Sequence, residues 1–180
     1  PPKAFSRPVK LSKEVKEAKF QTATIRNQIF PSGRVYFCQH NTPELVWRPE
    51  WQNHPNGVSS VLEFVTVTQE QISEASRFAV LLKTNVEIDQ SGVRYVALDK
   101  CRLTVLTPEQ YRIRYGDLAL TLDRRDSVFG AIVLGTNALQ TLNKLLTNLN
   151  DITTEYYRDR TIVHVTAYDT VLEFVEVDSA

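Results

Sequence analysis

The sequence contains no methionine, only two cysteines and three histidines, and no excess of charge of either sign. Its 21 Lys and Arg residues match 21 Asp and Glu residues, so the formal net charge is zero. A neutral chain offers no electrostatic reason to bind nucleic acid or an anionic membrane surface. We therefore expect neither of them as a partner.

Long apolar runs are also missing. No run approaches the roughly 18 residues that a membrane-spanning helix needs, and no signal peptide is visible. Two cysteines, Cys38 and Cys101, do not make a disulfide framework, so we expect a reducing, cytoplasmic compartment with both thiols in the core. Since position 1 is proline, we expect a cleaved chain, an expressed piece or an internal part of a longer protein.

Metal-capable and aromatic side chains are concentrated between Gly33 and Gly57. This block, GRVYFCQHNTPELVWRPEWQNHPNG, holds both tryptophans and two of the three histidines. Its three prolines forbid a long helix or a central strand. We expect an irregular linker after His40, anchored by Trp47 and Trp51.

The order strand, helix and three strands occurs twice after residue 57. Periodicity predicts the first unit as a strand at 58–68, a helix at 69–83 and strands near 86–88, 93–98 and 101–106. It predicts the second as a strand at 127–135, a helix at 136–151 and strands near 153–157, 161–168 and 171–177. Since neither unit can bury both sheet faces alone, we expect them to pair in an α+β fold, with helices outside a curved mixed sheet.

The other segments are less regular. Residues 1–19 predict an extended Lys-rich arm, followed by strands at 20–26 and 34–40. Residues 107–117 predict a short helical turn and loop with Thr107 as a possible cap, followed by a strand at 119–122.

The doubled βαβββ unit and the segment FCQHNTPELVWRPEWQNHPNG together resemble the glyoxalase-like domain proteins of the vicinal-oxygen-chelate superfamily. FSRPV (5–9) and AKFQTATIR (18–26) are similar to the same family's pattern. The family's opening module, with its Asp-His strand, GRH-type loop and YLEL strand, does not occur here. The resemblance therefore implies the C-terminal portion of a longer protein. Residues 1–57 would be the tail of one unit plus the linker, and 58–180 a complete pair with units at about 58–125 and 126–180.

The resemblance further implies one divalent metal on the concave face of the sheet, acting as a Lewis acid on a small oxygenated substrate. The corresponding positions carry Glu63, Glu173, Thr104 and Gly130, of which only the two glutamates are good ligands. Two carboxylates and water suit Mg²⁺ or Mn²⁺, whereas Zn²⁺ and Fe²⁺ sites generally contain imidazole ligands as well. Ni²⁺ is a further candidate for the metal. Alternatively, the glutamates point outward or pair with arginines.

The block from Gly33 offers a second candidate site. On a strand, His40 shares one face with Tyr36 and Cys38, and Glu44 follows four residues later. We predict His40 as a metal ligand and Glu44 as a catalytic residue of a site completed upstream or by another chain. The alternative is local hydrogen bonding by both. We expect His54 and His164 to be structural.

Two function classes follow. One is a divalent-metal-dependent lyase, isomerase or dioxygenase acting on a small metabolite. The other is a metal-free glyoxalase-fold module with a ligand-binding or dimerisation role. The exposed sheet edges expected between residues 20 and 40 also make a homodimer possible.

Overall fold

The computed structural model describes residues 1–30 and 32–178, which form two compact units. The first unit is Pro1–Asn53, and the second begins at His54. None of the helices among the described residues is long and apolar enough to cross a bilayer.

The first unit is a three-stranded antiparallel sheet in the order β1-β2-β3. Its strands are β1 (Lys3–Lys10), β2 (Val15–Thr24) and β3 (Tyr36–His40). The predicted arm at 1–19 was wrong, because these residues form β1 and the first half of β2 as a hairpin. The irregular backbone expected after His40 is present as two short 3₁₀ turns, Pro43–Leu45 and Pro49–Trp51, each opened by a proline. Trp47 and Trp51 are 62% and 47% exposed, and the role of this segment as an anchored linker stays a prediction.

The second unit is an eight-stranded mixed sheet in the order β5-β6-β7-β4-β8-β11-β10-β9. The first half contains β4 (Val58–Thr68), α1 (Gln71–Leu82), β5 (Glu87–Ile88), β6 (Arg94–Ala97) and β7 (Arg102–Leu106). After α2 (Pro108–Tyr115), the second half contains β8 (Ser127–Thr136), α3 (Leu139–Leu146), β9 (Ile152–Tyr156), β10 (Arg160–Val165) and β11 (Thr170–Glu176). The predicted α+β fold with a repeated βαβββ order is confirmed.

The two halves meet at the centre of the sheet. There β4 and β8 pair antiparallel, and each also pairs in parallel with the last strand of its own half, β7 or β11. Helix α3 packs its leucines, Leu139, Leu142 and Leu146, against Val163 and Phe174. Helix α1 lies on the same side, because Gln71 accepts from Arg94, and Arg94 stands opposite Val105, whose side chain points away from the face of Leu106. We call the opposite side the inner face.

The inner face is covered by the connection between the halves. Two tyrosines of α2, Tyr111 and Tyr115, are buried there with Val65, Val67 and Ala131. The strand predicted at 119–122 was wrong, since the chain instead makes a 3₁₀ turn at Gly116–Leu118 and then a loop. The reason is packing, because Leu118 and Leu120 point into the same core.

Candidate functional site

Glu63 and Glu173 come together on the inner face. Each lies in the sequence VLEF, Glu63 on β4 and Glu173 on β11. In the register of the sheet both stand opposite Val133 of the intervening strand β8, so all three side chains share one face. The two glutamates are only 3% and 2% exposed. A buried carboxylate needs hydrogen bonds and a compensating charge.

Arg114 supplies both. Its Nη1 and Nη2 donate to the two oxygens of Glu63 at 2.9 and 3.0 Å, a bidentate pair. Its Nε and Nη2 donate to Oε2 of Glu173 at 3.2 and 2.8 Å. A single guanidinium therefore lies between the two carboxylates and joins the two halves of the unit.

The local sequence of α2 explains how Arg114 reaches this position. Thr107 and Gln110 form a reciprocal capping box, and Pro108 occupies the first turn, so the helix start is fixed. Tyr111 and Tyr115, one turn apart, pack against each other with ring centroids 4.9 Å apart and planes tilted by 52°. Tyr111 donates to the Gly130 carbonyl at 2.8 Å, which ties the helix to β8.

Further donors complete the cluster. The Tyr115 hydroxyl donates to Oε2 of Glu173 at 2.9 Å. Arg102 donates to Glu63 at 3.0 Å, and Arg160 donates to Oε1 of Glu173 at 2.9 Å. The cluster of Glu63, Glu173 and three arginines carries one excess positive charge.

Both outer arginines pack against a tyrosine, although they lie on strands that do not correspond in the repeat, Arg102 on β7 and Arg160 on β10. The Arg102 guanidinium lies 5.5 Å from the Tyr95 ring centroid, and that of Arg160 lies 4.8 Å from the Tyr157 centroid. Each tyrosine hydroxyl donates to a glutamate, Tyr95 to Glu87 and Tyr157 to Glu155. Each outer arginine therefore contacts a tyrosine ring and donates to one of the two buried glutamates.

The charges of the cluster and its burial act on its pKa values in opposite directions. Burial acts to raise the pKa of Glu63, but the hydrogen bonds and charge of Arg114, aided by Arg102, lower it overall. Burial acts to lower the pKa of Arg114, and its acidic partners raise it instead. Burial and then the charge of Glu173 raise the pKa of Tyr115, and burial raises that of Tyr111 to about 12. The glutamate Glu63 is therefore ionised and the tyrosines neutral near pH 7.

This donor set does not fit a divalent metal. A cation between Glu63 and Glu173 would meet the guanidinium of Arg114, whose charge repels it and whose donors occupy the carboxylate oxygens. A ligand side chain at position 130 has no room, since a Cβ on Gly130 would lie 2.6 Å from Val67 and 2.9 Å from Tyr111. In the described ranges, no group of three or more His, Cys, Asp or Glu side chains could hold a metal ion.

A cavity of about 300 Å³ opens beside the cluster. Arg102 and Arg114 line one side of it, and Leu106 and Ile113 contribute apolar surface. Asp89 lies at the rim, but its Oδ1 already accepts from the Ser91 amide and hydroxyl and from the Val93 amide. Gln110 also lines the cavity, and its Oε1 accepts from Gln71 and from the Thr107 amide. Arg114 already donates to both glutamates, so Arg102 is the cationic side chain of this cavity that keeps donors for a ligand.

His40 and Glu44 lie in the first unit. His40 is half-buried between two rings, edge-on to Phe20 at 5.2 Å and stacked on Trp47 at 5.7 Å. Glu44 is exposed in the 3₁₀ turn that follows. Their predicted roles as metal ligand and catalytic residue stay predictions.

The remaining histidines have local contacts. His54 opens a turn in which its carbonyl accepts from the Gly57 amide at 3.0 Å. The Nε2 of His164, on β10, lies 3.4 Å from Oδ1 of Asp169. Among the cysteines, Cys38 is exposed and Cys101 is half-buried, so the prediction that both are core residues was wrong. The reason is that Cys38 lies on the uncovered β3.

Sequence reasoning singled out the two glutamates and missed Arg114. A signal was available in YRIRY, where Tyr111, Arg114 and Tyr115 fall on one face of a helix. A helix face with two tyrosines and an arginine, placed between two repeated units, indicates a buried contact with both. The partner of the arginine could not be inferred without the strand register.

Comparisons with known proteins support the fold. No family model matches the sequence, and no curated protein matches it. A solved structure of methylmalonyl-CoA epimerase from Mycobacterium tuberculosis, a vicinal-oxygen-chelate fold, is similar with a TM-score of 0.50 at 12% identity. The match covers 71% of this chain and 93% of that one.

A hypothetical protein from Staphylococcus aureus is similar over more of the chain. Its TM-score is 0.56 at 8% identity, and the match covers 97% of this chain and 55% of that one. The chain thus spans about half the length of that protein. At such identities the likeness concerns the fold alone, and the paired βαβββ arrangement is that of the vicinal-oxygen-chelate fold.

Proposed function

We propose that the second unit is a metal-free glyoxalase-fold module that binds a small anionic ligand in the cavity beside Arg102 and Arg114. The position of Arg114 between Glu63 and Glu173 carries the proposal. At the place where the resemblance puts a divalent cation, the chain's own guanidinium neutralises the carboxylates. The tyrosines of α2 fill the space above it.

The ligand class follows from the donors that face the cavity. Within the described part of the chain, the Arg102 guanidinium donates to Glu63 alone, and its side chain is 45% exposed. A guanidinium with free N–H groups matches the geometry of a carboxylate or a phosphate. A cavity of about 300 Å³ has room for a small molecule.

Calorimetric titration of the full chain tests both parts of the proposal. We expect no saturable binding of MnCl₂ or ZnCl₂ at micromolar concentration, and saturable binding of a member of a panel of acetate, succinate and inorganic phosphate. Arg102→Gln should weaken anion binding at least tenfold, since it removes the charge and keeps much of the length. Arg124→Gln, an exposed arginine of the loop after α2, is the matched control.

Two results would overturn the proposal. One is stoichiometric metal binding that Glu63→Gln abolishes, which would restore the metal-dependent function. The other is anion binding that is absent or equal in Arg102→Gln and wild type.

A further inference from the structure

The two units carry opposite charges, although the whole chain is neutral. Residues 1–53 contain nine Lys or Arg against four Asp or Glu, a net charge of +5. From His54 onward there are 12 Lys or Arg against 17 Asp or Glu, a net charge of −5. The neutrality of the chain is therefore the sum of a basic unit and an acidic one.

The basic unit has little core of its own. Three of its hydrophobic residues, Ala18, Phe30 and Leu45, are buried. A larger set of apolar side chains is exposed in the same unit: Phe5, Val15, Ile29, Tyr36, Phe37, Trp47 and Trp51. Three buried hydrophobic side chains among the described residues do not stabilise a unit of about 50 residues, and such a sheet normally needs a covering surface.

One face of this sheet is aromatic. Phe5 of β1 stands opposite Phe20 of β2, which stands opposite His40 of β3. The Phe5 and Phe20 rings stack at 5.0 Å, and the row continues to His40 and Trp47. We call the side of the sheet that carries this row the aromatic face.

Basic side chains lie on the same face. By register, Lys3 and Arg7 share it with Phe5, and the Arg7 guanidinium lies 5.8 Å from the Phe5 ring centroid. Within the row, Phe5 and Trp47 keep 41% and 62% of their surface exposed. Exposed aromatic rings next to basic side chains are typical of an interaction site.

We propose that the aromatic face docks on the acidic unit of a second copy of this chain. The opposite net charges of +5 and −5 favour a contact between unlike units and disfavour one between like units. In a two-fold dimer the contact occurs twice, because each copy offers one basic and one acidic unit. Exposed carboxylates of Asp159 and Glu176, which neighbour each other where β10 begins and β11 ends, are candidates to meet the basic rim.

Sedimentation velocity of the full chain between 5 and 200 µM tests this proposal. At 50 mM NaCl we expect a dimer that dissociates on dilution, and 500 mM NaCl should raise its Kd at least tenfold, because salt screens the complementary charges. Lys3→Glu combined with Arg7→Glu should also raise the Kd at least tenfold.

The matched control reverses two exposed lysines of the acidic unit, Lys100→Glu with Lys144→Glu. It makes that unit more acidic, so dimerisation should be unchanged or tighter.

The proposal is overturned by a monomer at all concentrations at low salt, or by equal weakening in both double variants. A monomer that instead binds a single-stranded oligonucleotide would also overturn it, since the basic face would then take nucleic acid. The salt dependence of the wild-type dimer tests the proposal even if a charge-reversal variant fails to fold.

Discussion

Arg114 is the residue on which the inner face depends. It donates to Glu63 and Glu173, which are both nearly fully buried. Two ionised carboxylates without this partner would repel each other in a medium where charge is poorly solvated. Hence Arg114 contributes chiefly by offsetting the free-energy cost of burying the two carboxylates.

Arg114→Met should lower the free energy of unfolding by about 3 to 5 kcal/mol, the usual cost of removing one partner from a buried ion pair. Urea unfolding followed by circular dichroism measures this. Arg112→Met, an exposed neighbour on the same helix, should change stability by less than about 0.5 kcal/mol. Equal stability of the two variants would show that the carboxylates do not depend on Arg114.

Helix α2 covers the inner face of the sheet and completes the core there. It begins at a capping box and carries Tyr111, Arg114 and Tyr115 into the inner face. The cap at Thr107 fixes the start of an eight-residue helix whose last two residues, Arg114 and Tyr115, belong to the cluster. Loss of the cap should therefore weaken the positioning of these two side chains.

Thr107→Ala should lower stability by about 1 kcal/mol, because the helix start loses the hydroxyl that accepts from the Gln110 amide. Thr107→Ser keeps a hydroxyl and should stay within a few tenths of a kcal/mol of wild type. Thermal unfolding of the three proteins compares them. A serine variant as unstable as the alanine variant would assign the effect to the lost methyl group instead.

The elements themselves were predictable from local patterns. Strand β4 matches its predicted bounds because apolar residues run through it between turn signals, and Thr107 was identified as a cap from its type and place. Helix α3 is shorter than predicted, since it ends at Leu146 while the leucine periodicity continues to Leu149. The leucine spacing does not show which leucines are buried in the folded unit. Leu149 is exposed, so the helix gains no core contact by continuing to it.

At the scale of the whole molecule, the two units differ in how much they bury. The strands β4, β8 and β11 lie in the middle of an eight-stranded sheet with a core on both faces. Among the described residues of the first unit, which contains β1 to β3, three hydrophobic side chains are buried. Local stability should follow this difference.

Hydrogen exchange followed by mass spectrometry should find β1 to β3 the least protected strands in dilute solution. Peptides from β4, β8 and β11 should exchange at least a hundredfold more slowly, because their opening requires loss of the main core. Protection of β1 to β3 should rise with protein concentration if a second copy covers them. Uniform protection at the lowest concentration would contradict the sparse core of the first unit.

The sequence by itself determined the α+β class and the repeated strand–helix–strand order, because hydrophobic periodicity can be seen in the sequence. The choice of Glu63 and Glu173 came from the resemblance to the vicinal-oxygen-chelate family, applied to that repeat. Only the tertiary structure decided what those glutamates bind. Glu63, Arg114 and Glu173 are separated by more than 50 residues in each direction. Their meeting depends on the pairing of β4, β8 and β11 and on the helix that crosses the inner face, and no local pattern encodes that pairing.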